Sequence, residues 1–250
     1  MDLNADLGEG FGIWRLGDDD ALLNLVTSAN VACGFHGGDP PTMRRVCAAA
    51  VQRGVAIGAQ VGYRDLAGFG RRHIGYAFAE LRDEIIYQLG ALDAFCRVFR
   101  GRVRYLKPHG ALYHAAARDE SQAAAVVAAV GEYDHELPVL CAPGSMLAQL
   151  AVGAGLRVVA EGFADRGYLP NGQLVPRTAF GALVTDPEEV AARAVRMATE
   201  RTVVAVDGSV IPCPVESICL HGDSPGAVAA AELVRAALID AGVTPTPFAR

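Results

Sequence analysis

The sequence is short of positive charge and of long apolar runs, and each shortage excludes a class of protein. Twenty-two Lys and Arg stand against 28 Asp and Glu, for a formal charge of −6. The one local basic cluster, Arg71-Arg72-His73, is too short to make a nucleic-acid surface. Even the apolar stretch AAAVVAAV stops after eight residues, far below the roughly 20 that cross a bilayer. The six cysteines (Cys33, Cys47, Cys96, Cys141, Cys213, Cys219) contain no C-x-x-C pair and lie mostly in apolar surroundings. That favours reduced, buried thiols over a disulfide framework. The opening MDLNADLGEG is acidic and has neither the charged nor the apolar region of a signal peptide. A soluble, cytoplasmic protein is expected. Two catalytic signatures are also missing: there is no H-E-x-x-H and no phosphate-binding loop. GDSPGA is too short for such a loop and lacks its Lys, and GEGFG lacks the dinucleotide-binding spacing.

What the sequence does have is a regular rhythm. Half of the chain is apolar (52%) and a fifth charged (20%), the balance of a globular protein with a well-buried core. Short β-type runs alternate with amphipathic stretches. The strand candidates are MDLNAD, TSANVAC, VAIGAQV, VRYLKP, PVLCAP, RVVAEGFA and ESICLHG. Asp39 and Pro40 can open a helix that stops before Gly54, and ELRDEIIYQLGALDAFCRVF is the longest helix, ended by Gly101. Asp186 with Pro187 opens another helix, and Ser224 with Pro225 opens the last, which stops at Gly242. This βα alternation predicts an α/β fold with a parallel sheet, closed into a barrel or open and doubly wound. TVVAVDGSVIPCP, with Asp-Gly between β-branched runs, predicts an antiparallel hairpin off the main sheet. No linker or composition shift divides the chain, so residues 1–250 read as one domain.

Polar residues collect at the strand ends. The first strand closes on Asn4, Asp6 and Glu9, the second leads to His36 and Asp39, and the third ends at Gln60. Lys107 and His109 follow the fourth, Asp165 and Arg166 the sixth, and His221 and Asp223 the seventh. The fifth offers only Pro143-Gly144-Ser145. In a barrel all these ends share one face, the face that carries active sites, so the pattern favours a seven-stranded (β/α) barrel. His36, His109 and His221 each begin a His-Gly pair at a strand end (HGGD, HGAL, HGDS), whereas His73, His114 and His135 have no such frame. Asp39, Asp165 and Asp223 have a second reading as caps or turn residues. Carboxylates, imidazoles and a Lys suit general acid–base catalysis on a small polar molecule. They also suit water activation by a divalent metal, for which Asp6, His36 and His109 would be the ligands.

Beyond single residues, DLNADLGEGFG, SANVACGFHGGDP, GVAIGA followed by GY and DLAGFGRR, YQLGALDAF, KPHGALYH, EGFADRGYLPNGQLVPR and ICLHGDSP together resemble the LamB/YcsF family, from about residue 2 to 242. The resemblance implies a barrel akin to those of glycoside hydrolases and deacetylases. It also implies a part in the ATP-dependent opening of 5-oxoproline to glutamate, beside separate B and C subunits. Under that reading Asp6 or His36 serves as base and His109 or His221 as acid. Lys107, Arg166 and Arg177 hold the substrate carboxylate or developing phosphate charge, and Asn4, Glu9, Gln60, Asp165 and Asp223 complete the substrate pocket. ATP is consumed with Mg by the complex, at a site that this chain or a partner provides. Many relatives read GAHPGYPD where this chain has GAQVGYRD, so Gln60, Val61 and Arg64 replace His, Pro and Pro. Gln can orient a substrate but neither carries a proton nor binds a metal well. Two alternatives remain open at this stage: a metal-dependent deacetylase or amidohydrolase, and a non-catalytic lactam- or sugar-binding subunit. The loop LAGFGRRH, residues 66–73, reads as a lid, a docking loop or plain packed surface.

Overall fold

In the computed structural model, which describes residues 1–222 and 226–249, seven parallel strands close into a barrel. These are β1 (Asp2–Leu7), β2 (Ser28–Ala32), β3 (Ala56–Val61), β4 (Tyr105–Pro108), β5 (Val139–Cys141), β6 (Val158–Phe163) and β9 (Ser217–Leu220). The strands β7 (Thr202–Val204) and β8 (Val210–Pro212) pair antiparallel as a separate two-stranded sheet, the hairpin foreseen around Asp207-Gly208. The barrel closes where β9 pairs with both β1 and β6.

Alternation along each strand sorts the chain into two environments. The residues Leu3, Ala5 and Leu7 of β1 join Ala29 and Val31 of β2 and Ile57, Ala59 and Val61 of β3 in the main apolar core, which the helices cover. The alternate positions, Asp2, Asn4 and Asp6 on β1, Ser28 and Asn30 on β2 and Gln60 on β3, are polar and equally buried. A strand buried on both faces in this way shows no exposure pattern, and β1 is buried at every residue. The barrel therefore has an apolar outer skin and a polar interior.

The helices start where the sequence indicates. The Asp39 carboxylate accepts from the Thr42 amide (2.8 Å) at the start of α2 (Pro40–Arg53), and Gly54 ends that helix in a left-handed conformation (φ 69°). Asp39 is thus a cap, and its second oxygen accepts from the Gly12 amide (2.8 Å). Asp186 caps α7 (Pro187–Thr199). The long helix α3 spans Phe78–Val98, and Arg100 (φ 63°) rather than Gly101 takes the left-handed turn behind it. Gly101 has a different reason to be glycine: a Cβ there would stand 2.6 Å from Val51 Cγ2. The last helix, α8, spans Ala227–Asp240 and is followed by Gly242; Ser224 and Pro225, read as its opening, lie outside the described residues. Below the strands, Phe248 of the C-terminal segment packs edge-on against Tyr105 (4.8 Å), closing the floor of the barrel.

Candidate active site

The polar interior rises from the floor to the mouth in connected steps. Lowest, the Asp2 carboxylate accepts from Thr27 and Ser28 (both 2.6 Å) and from Ser217. Above it Asn30 donates from Nδ2 to Asn4 Oδ1 (2.6 Å) and to Asp6 Oδ1 (2.9 Å). The Tyr105 hydroxyl donates to Asn30 Oδ1 (2.7 Å), which fixes the way the amide faces. This ring reaches across the barrel because Gly58 stands beside it; a Cβ at that position would overlap the ring.

At the next level Lys107 Nζ lies 3.2 Å from Asp6 Oδ1 and 2.7 Å from Glu161 Oε1, with Cys219 Sγ at 3.1 Å. All four side chains are buried. Burial opposes charge on Asp6, yet Lys107, His221 and the Asn30 bond outweigh it and hold its carboxyl below the ordinary value. Burial likewise opposes the Lys107 ammonium, and Asp6, Cys219 and Glu161 more than restore it, so Lys107 stays charged. Glu161 is different: burial prevails over Lys107 and raises its carboxyl. The result is a charged Asp6–Lys107 pair beside a carboxyl that keeps its proton more readily.

Imidazoles flank this centre on two sides. On one side His221 Nδ1 lies 2.7 Å from Asp165 Oδ2, which also accepts from the His221 amide (3.2 Å). Burial works against the Asp165 charge, but His221 overcomes it and keeps the carboxylate ionised. An imidazole bound to a carboxylate through Nδ1 has Nε2 left for chemistry. Phe163 stacks on this ring at 5.7 Å and also lies under Lys107 Nζ at 5.4 Å.

On the other side His36 and His109 stack with centroids 3.8 Å apart and planes 17° from parallel. Glu9 Oε1 lies 3.6 Å from Nε2 of each ring. Burial pushes His36 down to about 4 and His109 well below its ordinary value, so both rings are neutral at pH 7. Gln60 Oε1 approaches His36 Nε2 at 3.3 Å, while Gln60 Nε2 has no partner among the described residues. In the loop of residues 66–73, half-buried Phe69 (φ 55°) lies edge-on over both imidazoles, at 5.9 and 5.4 Å, while Leu66, Arg71, Arg72 and His73 are exposed. Asp65 anchors the loop, accepting from the Gly68 amide (2.9 Å) and from the Arg72 guanidinium. Arg64, in place of a family Pro, lies over the Phe35 ring (4.5 Å) and pairs with Glu84 (3.1 Å).

The structure corrects the ligand set read for a metal. The carboxylate within reach of both His36 and His109 is that of Glu9, whereas Asp6 is engaged by Lys107 and Asn30. The new trio, Glu9, His36 and His109, also fails a geometric test. Two imidazoles on one tetrahedral ion, each with the ion in its ring plane at the usual metal–nitrogen distance, have centroids about 5 Å apart. Near-parallel rings at 3.8 Å cannot both point a lone pair at one ion.

The other sequence-predicted residues are placed as follows. Asn4 belongs to the hydrogen-bonded column beneath Asp6, and its Oδ1 is 3.4 Å from Lys107 Nζ. Arg166 donates from Nε to the carbonyl of Ala182 (3.0 Å) and from Nη2 to that of Val175 (2.7 Å), which ties it to the loop after β6. Arg177 is half-buried on the same loop, near enough for its charge to act on Arg166 and His114. Asp223 lies outside the described residues. Sequence reasoning missed Glu161, Asn30, Tyr105 and Cys219. Each sits within a strand rather than at its tip, and inward parity was the signal that could have found them. Cys33, three residues before His36 in the sequence, bonds the Val31 carbonyl (3.3 Å). All six cysteines are free and buried.

Known proteins share this chain's sequence and fold along its whole length. The family model "LamB/YcsF family" matches residues 1–250. The 5-oxoprolinase A subunit of Streptomyces griseus is 59% identical, the match covering 100% of both chains. That of Mycolicibacterium gilvum is 56% identical over 99% of this chain and 98% of its own. Among solved structures, the lactam utilization protein of Thermus thermophilus superposes with a TM-score of 0.95 at 44% identity, covering 99% of each chain.

Proposed function

The chain belongs to the LamB/YcsF family, and we propose that it is the A component of an ATP-dependent 5-oxoprolinase acting with B and C partners. The relatives named as 5-oxoprolinase A subunits and the solved lactam utilization protein support the substrate. Within the chain, the observation that carries the reading is the Asp165–His221 pair set beside a buried Asp6–Lys107–Glu161 cluster in one mouth. That arrangement supplies a base, an acid and a fixed cation around a small polar ligand.

A five-membered lactam is an unstrained amide, and its opening needs activation. Phosphorylation of the amide oxygen by ATP releases ADP and makes the ring carbon electrophilic. Water then adds to that carbon, His221 Nε2 taking its proton and returning it to the ring nitrogen as the C–N bond breaks. The product is γ-glutamyl phosphate, which a second water hydrolyses to glutamate and inorganic phosphate. Lys107 faces the charge developing on the oxygens, while the unpartnered amide of Gln60 and the charge of Arg177 orient the ligand. The ATP that drives this activation binds to this chain or to a partner subunit. No step passes through a barrel-bound metal, because the stacked imidazoles do not suit one.

The test is a single-turnover assay of the chain alone and with the B and C subunits. Glutamate should form only in the mixture that also contains ATP and Mg, and Asp6→Asn should abolish it while 5-oxoproline still binds. Glutamate made by this chain alone would refute the proposal that the chain acts only with its partners, and a fully active Asn variant would show that Lys107 does not need the Asp6 carboxylate beside it.

A further inference from the structure

In the lactam-opening sequence one proton is left without a carrier. Phosphorylation of the amide oxygen turns the ring amide into a cyclic imidate with a C=N bond, and the N–H proton must leave for a base. Water later supplies two protons through His221, yet the nitrogen ends as an ammonium with three. The third is the one that left. The group that accepts it early and returns it late has to lie in the same cavity, keep an oxygen free and hold a proton away from bulk water.

Glu161 meets these conditions. It lies on β6 two residues before Phe163, so the two side chains share the inward face of the strand. Its Oε1 is 2.7 Å from Lys107 Nζ, while Oε2 has no hydrogen-bond partner among the described residues. The Tyr113 hydroxyl, carried by α4 (Gly110–Ala116), is equally buried and equally without a partner. It stands near enough to Glu161 for each to act on the other's charge. Buried polar atoms left unpaired are costly, and a ligand that donates to them removes the cost. Phe163 joins this corner to His221. Its ring stacks on the imidazole at 5.7 Å, meets the Tyr113 ring edge-on at 5.7 Å and lies 5.4 Å from Lys107 Nζ. Of the two carboxyls beside Lys107, Asp6 is held below its ordinary value and gives a proton up. Burial raises Glu161, which is therefore the one that retains a proton once accepted.

We propose that Glu161 accepts the lactam N–H proton as the amide oxygen is phosphorylated and returns it to the nitrogen as water adds, with the Tyr113 hydroxyl orienting its carboxyl. This role rests on the reading of the chain as the lactam-opening component. In the first step the O–P bond forms and ADP leaves, the N–H proton passes to Glu161 Oε2, and the freed electron pair makes the C=N bond. In the second, the water oxygen bonds to carbon, the C=N pair moves onto nitrogen, and nitrogen takes its proton back from Glu161. His221 carries one water proton to the nitrogen as the C–N bond breaks; the other leaves the oxygen as the carbonyl re-forms and ends on the amine. Lys107 faces Glu161 while it is ionised, before the first step and after the second.

The experiment uses the complex assembled from this chain and its B and C subunits, with ATP, Mg and 5-oxoproline, and follows glutamate and ADP together. Glu161→Gln keeps an oxygen that accepts from the lactam N–H but cannot carry the proton. Its kcat should fall by about 10²–10⁴ with KM nearly unchanged. Tyr113→Phe keeps the ring and loses only the hydroxyl, and should lower kcat about tenfold, again at unchanged KM. A Gln variant with wild-type kcat, or with its whole loss in KM, overturns the proton role and leaves the reading of the chain intact. A wild-type complex that makes no glutamate overturns both. An unchanged kcat in Tyr113→Phe overturns the orienting role and, should the Gln variant melt early, decides against the proposal as a whole.

Discussion

At the scale of single residues, the site depends on groups that touch no ligand. Tyr105 holds Asn30, Asn30 holds Asp6, and Gly58 leaves room for the Tyr105 ring. In Tyr105→Phe the Asn30 amide loses the bond that fixes it and releases Asp6, whose carboxyl should rise. The acid limb of the pH–rate profile of the assembled complex should then move upward, with kcat reduced about tenfold and KM little changed. An unmoved limb would reduce the relay to packing. Asp165→Asn should cost more, on the order of 10³ in kcat, because an amide in that position favours the wrong imidazole tautomer. If the stacked His36–His109 pair holds no metal, the purified chain should carry far less than one equivalent of zinc after dialysis. One retained equivalent would show that the rings turn. Of these residues, the sequence displayed those at strand tips: Asp6, Lys107, His109 and His221 stood out because polar groups rarely end apolar strands for nothing. Glu161 and Tyr105 stayed hidden inside strands that read as ordinary, and the two backbone carbonyls that Arg166 meets are not visible in sequence.

At the scale of elements, the seven barrel strands and the outlying hairpin were legible because period-2 runs and capping residues are local signals. Less legible was which glycines carry structure. Gly58 lies in mid-strand with no turn to explain it, and its reason is a ring from β4, 47 positions along by residue number. Gly58→Ala should force that ring aside, destabilising the fold by about 1–3 kcal/mol through overpacking. Urea denaturation would measure it, and an unchanged midpoint would mean that β3 and β4 yield without cost. The end of α3 was misplaced by one residue for a related reason. The sequence points to Gly101 as the stop, but Arg100 makes the turn and Gly101 serves the approach of Val51 from α2. Both cases turn on distant contacts, which periodicity does not report.

At the scale of the whole molecule, the apolar skin carries stability and the polar interior carries chemistry, and the two are linked through pH. His36 is fully buried and pushed from 6.5 down to about 4, and His114 is lowered to about 4 as well. His109 moves in the same direction. In the unfolded chain these imidazoles take up protons near their ordinary value, while in the fold they resist until much lower pH. Below pH 6.5 the unfolded state therefore binds more protons, and stability falls as pH drops toward 4. For His36 alone the shift corresponds to about 3 kcal/mol over that window. Asp2 and Glu161 act in the opposite sense, since burial raises both carboxyls and the fold takes up their protons first. The imidazole contribution is isolated by comparing wild type with His36→Gln across the same pH series. The melting temperature of the wild type should fall steeply between pH 6.5 and 4, and that of the variant less steeply, with the two curves converging at the acid end. Parallel curves would mean that His36 takes up its proton as readily in the fold as in the unfolded chain, and the burial that keeps the stacked pair neutral to low pH would have to be abandoned.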